Sequence, residues 1–82
     1  MKATPTIQSV RPVENMLLHV CFTNGEQRIY NCDPLLNRPQ FRLLKTPAFF
    51  NSVRVDPGGY GVSWNDDIDL SEYELWKNGR PI

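Results

Sequence analysis

Cysteine is scarce in this sequence, and neither an excess of charge of one sign nor a long apolar run is present. Its two cysteines, Cys21 and Cys32, are too few for the disulfide scaffolds on which small secreted domains depend. Nine basic residues balance nine acidic ones, so the chain has no overall electrostatic attraction to nucleic acid or anionic lipid. No apolar run approaches the roughly 18 residues of a membrane span, and the start of the chain lacks the apolar segment of a signal peptide. These absences favour a cytoplasmic protein without a membrane segment.

What is present indicates one small globular domain. The chain has 82 residues, of which 40% are hydrophobic and 11% are aromatic. That length lies near the lower limit at which burial of a hydrophobic core can offset the loss of chain entropy without disulfides or bound metals. We therefore expect residues 1–82 to form a single domain of modest stability.

The charges are unevenly distributed along the chain. Residues 1–54 contain seven basic and three acidic residues, whereas residues 55–82 contain two basic and six acidic ones. The two parts therefore carry formal charges of +4 and −4. Either these parts pair with each other in the fold, which we favour because exposed charges act weakly, or they form a polarised surface for a charged partner.

The clearest local pattern is a β-hairpin. Two β-prone runs, residues 17–22 and 27–30, flank Asn24-Gly25, the favoured pair for a two-residue type I′ turn. That turn predicts pairing of Val20 with Ile29 and fixes which side chains share a face. The predicted core face holds Leu18, Val20, Phe22 and Ile29. The predicted outer face holds Leu17, His19, Cys21, Arg28 and Tyr30.

The remaining elements predict an α+β fold. Residues 7–13 read as a strand that turns at Glu14-Asn15 into the hairpin, which gives a three-stranded antiparallel meander. Asp33-Pro34 and Thr46-Pro47 each predict a short helical turn, because proline suits the first helical position. Residues 53–55 and 61–64 predict a second short hairpin around Asp56-Pro57-Gly58-Gly59. Ser71-Glu72-Tyr73-Glu74 has the spacing of a capping box and predicts a final helix of about seven residues, ended by Asn78-Gly79. The expected architecture is a small twisted antiparallel sheet with two or three short helices.

No motif supports a catalytic, metal or cofactor site. The predicted register separates Cys21 from Cys32 by roughly 13 Å, beyond the reach of about 7 Å for a disulfide. A Cys21–His19 dyad is disfavoured, because residues two apart on a strand stand roughly 6 to 7 Å apart at Cα, and a cross-strand His19–Tyr30 pair is expected instead. The acidic residues Asp66, Asp67, Asp69 and Glu72 fail the calcium-loop template, which requires glycine and glutamate where Leu70 and Trp76 stand. The glycines at 58, 59 and 61 match neither phosphate-loop pattern.

Two sets of side chains remain as candidates for binding. One set could contact a nucleic-acid backbone: Arg38, Arg42 and Lys45, with Phe41 between them. Three cations on a domain of zero net charge form only a small basic surface, however. His19, Arg28 and Tyr30 are the only clustered candidates for a small-molecule pocket or an enzymatic site.

The order of residues along the chain resembles a known family. The elements that carry the resemblance are Val10-x-Pro12, Leu18-x-Val20-x-Phe22-x-Asn24-Gly25, Tyr30-x-x-Asp33, Leu43-x-x-x-Pro47-x-x-Phe50, and Trp64-Asn65 before Ile68-Asp69-Leu70. Together they resemble a bacterial family of short proteins, domain-of-unknown-function family 2442, from about Ile7 to Trp76. The resemblance implies a small α+β fold, a bacterial cytoplasmic setting and a neighbouring gene for another small protein, an arrangement similar to toxin–antitoxin pairing. It implies no catalytic residues.

These observations predict a non-enzymatic module that binds another small protein, in the manner of an antitoxin. The alternatives are a transcriptional or other nucleic-acid-associated regulator, and a small-ligand-binding or enzymatic domain. We expect no cofactor and no bound metal. A three-stranded meander also leaves sheet edges through which the chain could self-associate.

Overall fold

The computed structural model describes residues 4–14 and 16–82, which fold into two antiparallel sheets and several short helices. The strands are β1 (Ile7–Val13), β2 (Leu17–Phe22), β3 (Gln27–Asn31), β4 (Arg54–Val55), β5 (Gly61–Ser63), β6 (Asp69–Ser71) and β7 (Arg80–Pro81). The α-helices are α1 (Pro47–Phe50) and α2 (Glu72–Asn78). Helices of the 3-10 type span Asp33–Asn37, Pro39–Lys45 and Pro57–Gly59. The fold class is α+β, as predicted.

The first sheet has four strands in the order β1-β2-β3-β7. Strand β1 has the predicted bounds, and the predicted meander is confirmed. The predicted turn at Glu14-Asn15 lies partly outside the described residues. Both edge strands contain a proline, Pro12 in β1 and Pro81 in β7, and a proline has no N–H to offer to a further strand.

The register of the hairpin differs from the predicted one by one residue. Val20 pairs with Arg28 and not with Ile29. The loop has three residues, because the Phe22 amide donates to the Glu26 carbonyl at 2.8 Å and the Gly25 amide donates to the Phe22 carbonyl at 3.0 Å. Gly25 has φ +90°, whereas Asn24 is not in the left-handed region that a type I′ turn requires. A three-residue turn with a glycine bulge therefore replaces the predicted two-residue turn.

This shift moves every side chain of β3 to the opposite face of the sheet. Arg28 and Tyr30 are buried on the core face beside Leu18, Val20 and Phe22, whereas Ile29 lies on the other face. The predicted assignment of Arg28, Tyr30 and Ile29 to faces was therefore wrong. The predicted His19–Tyr30 pair was also wrong, because His19 pairs with Ile29 and Leu18 pairs with Tyr30.

The helical segments cover the core face of the first sheet. Both predicted proline turns are present, at Asp33–Asn37 and at Pro47–Phe50, and the 3-10 helix Pro39–Lys45 between them was not predicted. Helix α2 has the predicted seven residues and begins after Ser71, whose hydroxyl accepts a hydrogen bond from the Glu74 amide at 3.1 Å. Such a short helix depends on tertiary packing, which Leu75 and Trp76 provide. The buried hydrophobic residues are Ile7, Leu18, Val20, Phe22, Tyr30, Cys32, Phe41, Leu44, Phe50, Val62, Trp64, Ile68, Leu70 and Leu75.

The second sheet has the order β4-β5-β6. The predicted second hairpin is confirmed as β4 and β5, and β6 adds a strand that was not predicted. Asn65 organises the turn into β6, because its side-chain oxygen accepts from the amides of Asp67 and Ile68 at 2.9 and 2.8 Å. Gly59, with φ +76°, lies against the start of β1, where a Cβ would stand 2.6 Å from the Ile7 carbonyl oxygen. The second sheet thus covers one end of the free edge of β1.

Candidate functional site

The three predicted pocket residues do not converge. His19 lies on the uncovered face of the first sheet, whereas Arg28 and Tyr30 lie on the core face. The two cysteines are separated in the same way: Cys21 is half-buried on the uncovered face, and Cys32 is fully buried in the core. The sheet itself stands between these groups, so the structure assembles neither a His19–Arg28–Tyr30 pocket nor a cysteine pair.

The first sheet has one face that the helical segments do not cover. We call it the outer face and define it by the residues that the register places there: Ser9, Arg11, Val13, Leu17, His19, Cys21, Gln27, Ile29, Asn31 and Arg80. None of these ten side chains is buried, none is a phenylalanine, tyrosine or tryptophan, and none is a carboxylate. Its apolar members are half-buried, and a shallow depression of about 510 Å³ runs past Arg11, His19 and Cys21. The outer face therefore combines half-buried apolar side chains and His19 on its inner strands with arginines on β1 and β7.

A chain of hydrogen bonds fixes the ring of His19. Arg11 Nη2 lies 3.2 Å from Nδ1, and Gln27 Oε1 lies 2.7 Å from Nε2. Because arginine can only donate, Nδ1 must be the acceptor and Nε2 must carry the proton that Gln27 accepts. Cys21 Sγ lies 4.0 Å from the same Nε2. That nitrogen already donates to Gln27 and has no lone pair for the thiol proton, so the geometry is not that of a cysteine–histidine dyad.

Arg28 is held inside the fold by aromatic and acidic neighbours. Its guanidinium carbon lies 4.0 Å from the centre of the Trp76 ring, and its Nη1 donates to Glu26 Oε1 at 2.9 Å. Within residues 4–14 and 16–82, no group accepts from its buried Nε. Trp76 also meets Phe22 edge to face, with ring centres 5.1 Å apart. Arg28 thus joins the hairpin to α2 and is not free to bind a ligand.

A cleft lies between the 3-10 helix Asp33–Asn37 and helix α2. It has a volume of about 380 Å³, and its floor is Tyr30, which donates to Glu74 Oε2 at 2.7 Å. Burial and this hydrogen bond raise the pKa of Tyr30 well above its usual range. The carboxylate of Glu74 therefore faces a neutral phenol. The capping-box spacing could have indicated Glu74, but it assigned that carboxylate to the start of the helix.

The candidate nucleic-acid residues are divided between two parts of the helical layer. Arg38 lines the cleft with Tyr30, whereas Lys45 lines an apolar groove of about 270 Å³ with Pro47 and Phe50. Phe41, the aromatic residue between the cations, is 7% exposed and belongs to the core. It cannot stack on a base, so the predicted arrangement of cations with an accessible aromatic is absent from this segment.

Among the residues that the structure describes, the two oppositely charged parts of the chain form no ion pair with each other. In the described ranges the one salt bridge is Arg28–Glu26, and both residues belong to the basic part. The expected ion pairing between the two parts is therefore not observed in these ranges. Asp66, Asp67 and Asp69 remain exposed near the turn between β5 and β6.

Comparisons with known proteins place the chain in a family without adding a described activity. The family model whose description is "Protein of unknown function (DUF2442)" matches residues 7–81. No curated protein and no solved structure matches the chain. In the described residues, no three potential metal-ligating side chains form a group that could hold an ion. No helix among them is long and apolar enough to cross a membrane.

Proposed function

The chain belongs to the DUF2442 family, and we propose that it is a non-enzymatic module that binds an acidic partner protein through its outer face. The observation that carries the proposal is the composition of that face. Half-exposed Leu17, Cys21 and Ile29 lie between Arg11 and Arg80, with no carboxylate among the ten residues of the face. A partner with apolar and acidic groups would match both features.

The same face suits a protein better than a nucleic acid. Single-stranded nucleic acid is bound by aromatic side chains that stack on bases, and the one aromatic ring of the outer face, the His19 imidazole, is held by Arg11 and Gln27. Two arginines also supply few phosphate contacts on a chain of zero net charge. Apolar side chains bordered by arginine are instead typical of protein interfaces.

The dimensions of the outer face predict a weak interface. The four strands have 7, 6, 5 and 2 residues, and at a spacing of about 4.8 Å they cover roughly 320 Å². A standard interface buries about 800 Å² on each partner, so this contact belongs to the transient class unless the partner reaches beyond the sheet. We expect a dissociation constant in the micromolar range and a marked dependence on salt.

Self-association is disfavoured by two features of the first sheet. Stacking two outer faces would bring Arg11 and Arg80 of one copy near those of the other, without a carboxylate to separate them. Pairing through an edge would meet Pro12 or Pro81. Both features support a monomer that binds a different protein.

The non-enzymatic part of the proposal rests on the polar groups near the outer face. His19 has both ring nitrogens engaged, by Arg11 and by Gln27, and neither is available as a base toward Cys21. Buried Cys32 is inaccessible to a substrate in the folded chain. We propose that the family works through binding alone.

The family resemblance supports a narrower version of the proposal. The partner would be another small bacterial cytoplasmic protein, encoded by the adjacent gene, whose toxicity this chain neutralises. A regulator that acts on nucleic acid through Arg38, Arg42 and Lys45 is the competing function.

Charge reversal on the outer face tests the proposal. The chain is co-purified with the product of the adjacent gene, and the dissociation constant is measured by calorimetry at low and at moderate salt. We expect Arg11→Glu with Arg80→Glu to weaken binding by about tenfold or more, because each places an anion opposite the acidic partner. Arg42→Glu, an exposed arginine of the helical layer, is the matched control and should bind like the unmodified chain.

Three results would count against the proposal. The first is the absence of a complex together with no loss of toxicity on co-expression. The second is equal weakening by Arg42→Glu, which would locate the contact elsewhere. The third is a salt-sensitive shift of DNA or RNA that disappears when Arg38, Arg42 and Lys45 become alanine, which would establish the competing function.

A further inference from the structure

We infer that the cleft between the 3-10 helix Asp33–Asn37 and helix α2 is a second binding site, for a small zwitterion of dipeptide size. It lies on the covered side of the first sheet and goes beyond the proposed function. The inference rests on the side chains that meet there.

The cleft contains one fixed anion and one unpaired cation. Glu74 accepts from Tyr30 through Oε2 at 2.7 Å, which holds its carboxylate at the wall formed by α2. Arg38 follows the 3-10 helix at the opposite wall, is exposed, and makes no ion pair with any carboxylate of the described chain. A bound ammonium group would be matched by Glu74, and a bound carboxylate by Arg38.

The rest of the lining suits a short apolar body. Tyr30 presents its ring as the floor, and Pro34 and Leu35 supply apolar surface beside it. The volume of about 380 Å³ falls within the range of ligand clefts, about 300 to 1,000 Å³.

Preorganisation supports binding at this position. Tyr30 is 5% exposed and cannot turn away without losing its packing, so the carboxylate that it holds is fixed before a ligand arrives. A group fixed in advance loses less conformational entropy on binding.

The test uses three related probes and nitrogen-15 NMR of the whole chain. The probes are alanyl-leucine, its N-acetyl form without the ammonium group, and its C-terminal amide without the carboxylate. We expect alanyl-leucine to shift the amide signals of Leu35, Glu74 and Asn78 saturably. Each blocked form should bind about tenfold more weakly, because each loses one charge-assisted hydrogen bond.

Arg38→Gln separates the role of the cation from the fold. This exposed side chain can change without cost to the core, and the variant should bind the dipeptide and its amide equally while still discriminating against the N-acetyl form. Arg42→Gln is the matched control and should behave like the unmodified chain. The inference is overturned if no saturable shift appears up to about 10 mM probe, if the three probes bind alike, or if Arg38→Gln and Arg42→Gln give the same affinities.

Discussion

Replacing Cys32 with alanine should make the protein less sensitive to alkaline pH. The Cys32 side chain is fully buried, and this burial raises the pKa of its thiol from 9.0 to about 12. In the unfolded chain the thiol ionises at its ordinary pKa, whereas in the folded chain it stays neutral. The contribution of the neutral, buried thiol to the free energy of unfolding is therefore complete below about pH 9 and is lost progressively as the pH rises toward 12.

The size of the effect follows from the two pKa values. Between pH 7.5 and pH 10.5 the unfolded thiol ionises almost completely and the folded thiol hardly at all. The free energy of unfolding should then fall by about 2 kcal/mol on account of Cys32 alone. A chain of this length has a total stability of roughly 4 to 12 kcal/mol, so the loss is large enough to measure.

Urea unfolding followed by tryptophan fluorescence, with a thiol reductant present, provides the measurement. The unmodified chain also loses stability through Tyr30, whose pKa is raised chiefly by burial and only in smaller part by Cys32, so most of that loss is common to both proteins. The difference between the unmodified chain and Cys32→Ala should therefore change by about 2 kcal/mol between the two pH values. Cys32→Val, which fills the space of the sulfur, should give the same change. Equal pH dependence of all three proteins would refute the reasoning.

Five further substitutions at four positions test contacts that determine the fold, each by thermal or urea unfolding. Gly59→Ala should lower the free energy of unfolding by roughly 3 kcal/mol, because Gly59 has φ +76° and a Cβ there would stand 2.6 Å from a backbone oxygen. Gly25→Ala should lower it by only about 1 kcal/mol, because Gly25 has φ +90° but its Cβ would stand in open space. Similar losses for the two variants would contradict the steric argument. Asn65→Ala should cost about 1 to 2 kcal/mol because two amides lose their acceptor, and Asn65→Asp should retain most of that stability. Tyr30→Phe should cost about 1 to 2 kcal/mol through loss of the hydrogen bond to Glu74, and an unchanged unfolding midpoint would show that this bond contributes nothing.

Much of the fold could be predicted from local patterns. The bounds of β1, the helical turns at Pro34 and Pro47, and the start of α2 at Ser71 all follow from residue preferences that act within a few positions. Strands β6 and β7 could not be found in this way, because they have three and two residues and become strands only by pairing with β5 and β3. Their formation depends on contacts between distant parts of the chain.

The candidate sites were harder to predict because they depend on the register of one hairpin. Asn24-Gly25 favours a two-residue turn, yet the chain forms a three-residue loop that buries Arg28 and Tyr30. Tertiary packing outweighs the preference of Asn-Gly for a two-residue turn. In the observed register the Arg28 guanidinium packs on the Trp76 ring, and the Tyr30 hydroxyl donates to Glu74 of α2. Both partners lie more than forty residues away along the chain, so no local pattern reveals them.

The three-residue loop between β2 and β3 has a consequence for how this chain can change by mutation. Loss of one codon within residues 23–25 would leave Phe22 opposite Glu26 and close the hairpin with a two-residue turn, so β3 would keep the same side chains toward the interior. Loss of the codon for Gln27, with the three-residue loop retained, would instead turn each following residue of β3 over: Ile29 would take a core position, and Arg28 would join the outer face. In-frame deletions at neighbouring codons would therefore differ in effect, because those in the loop conserve the chemistry that the sheet shows to a partner and one at the start of β3 replaces it.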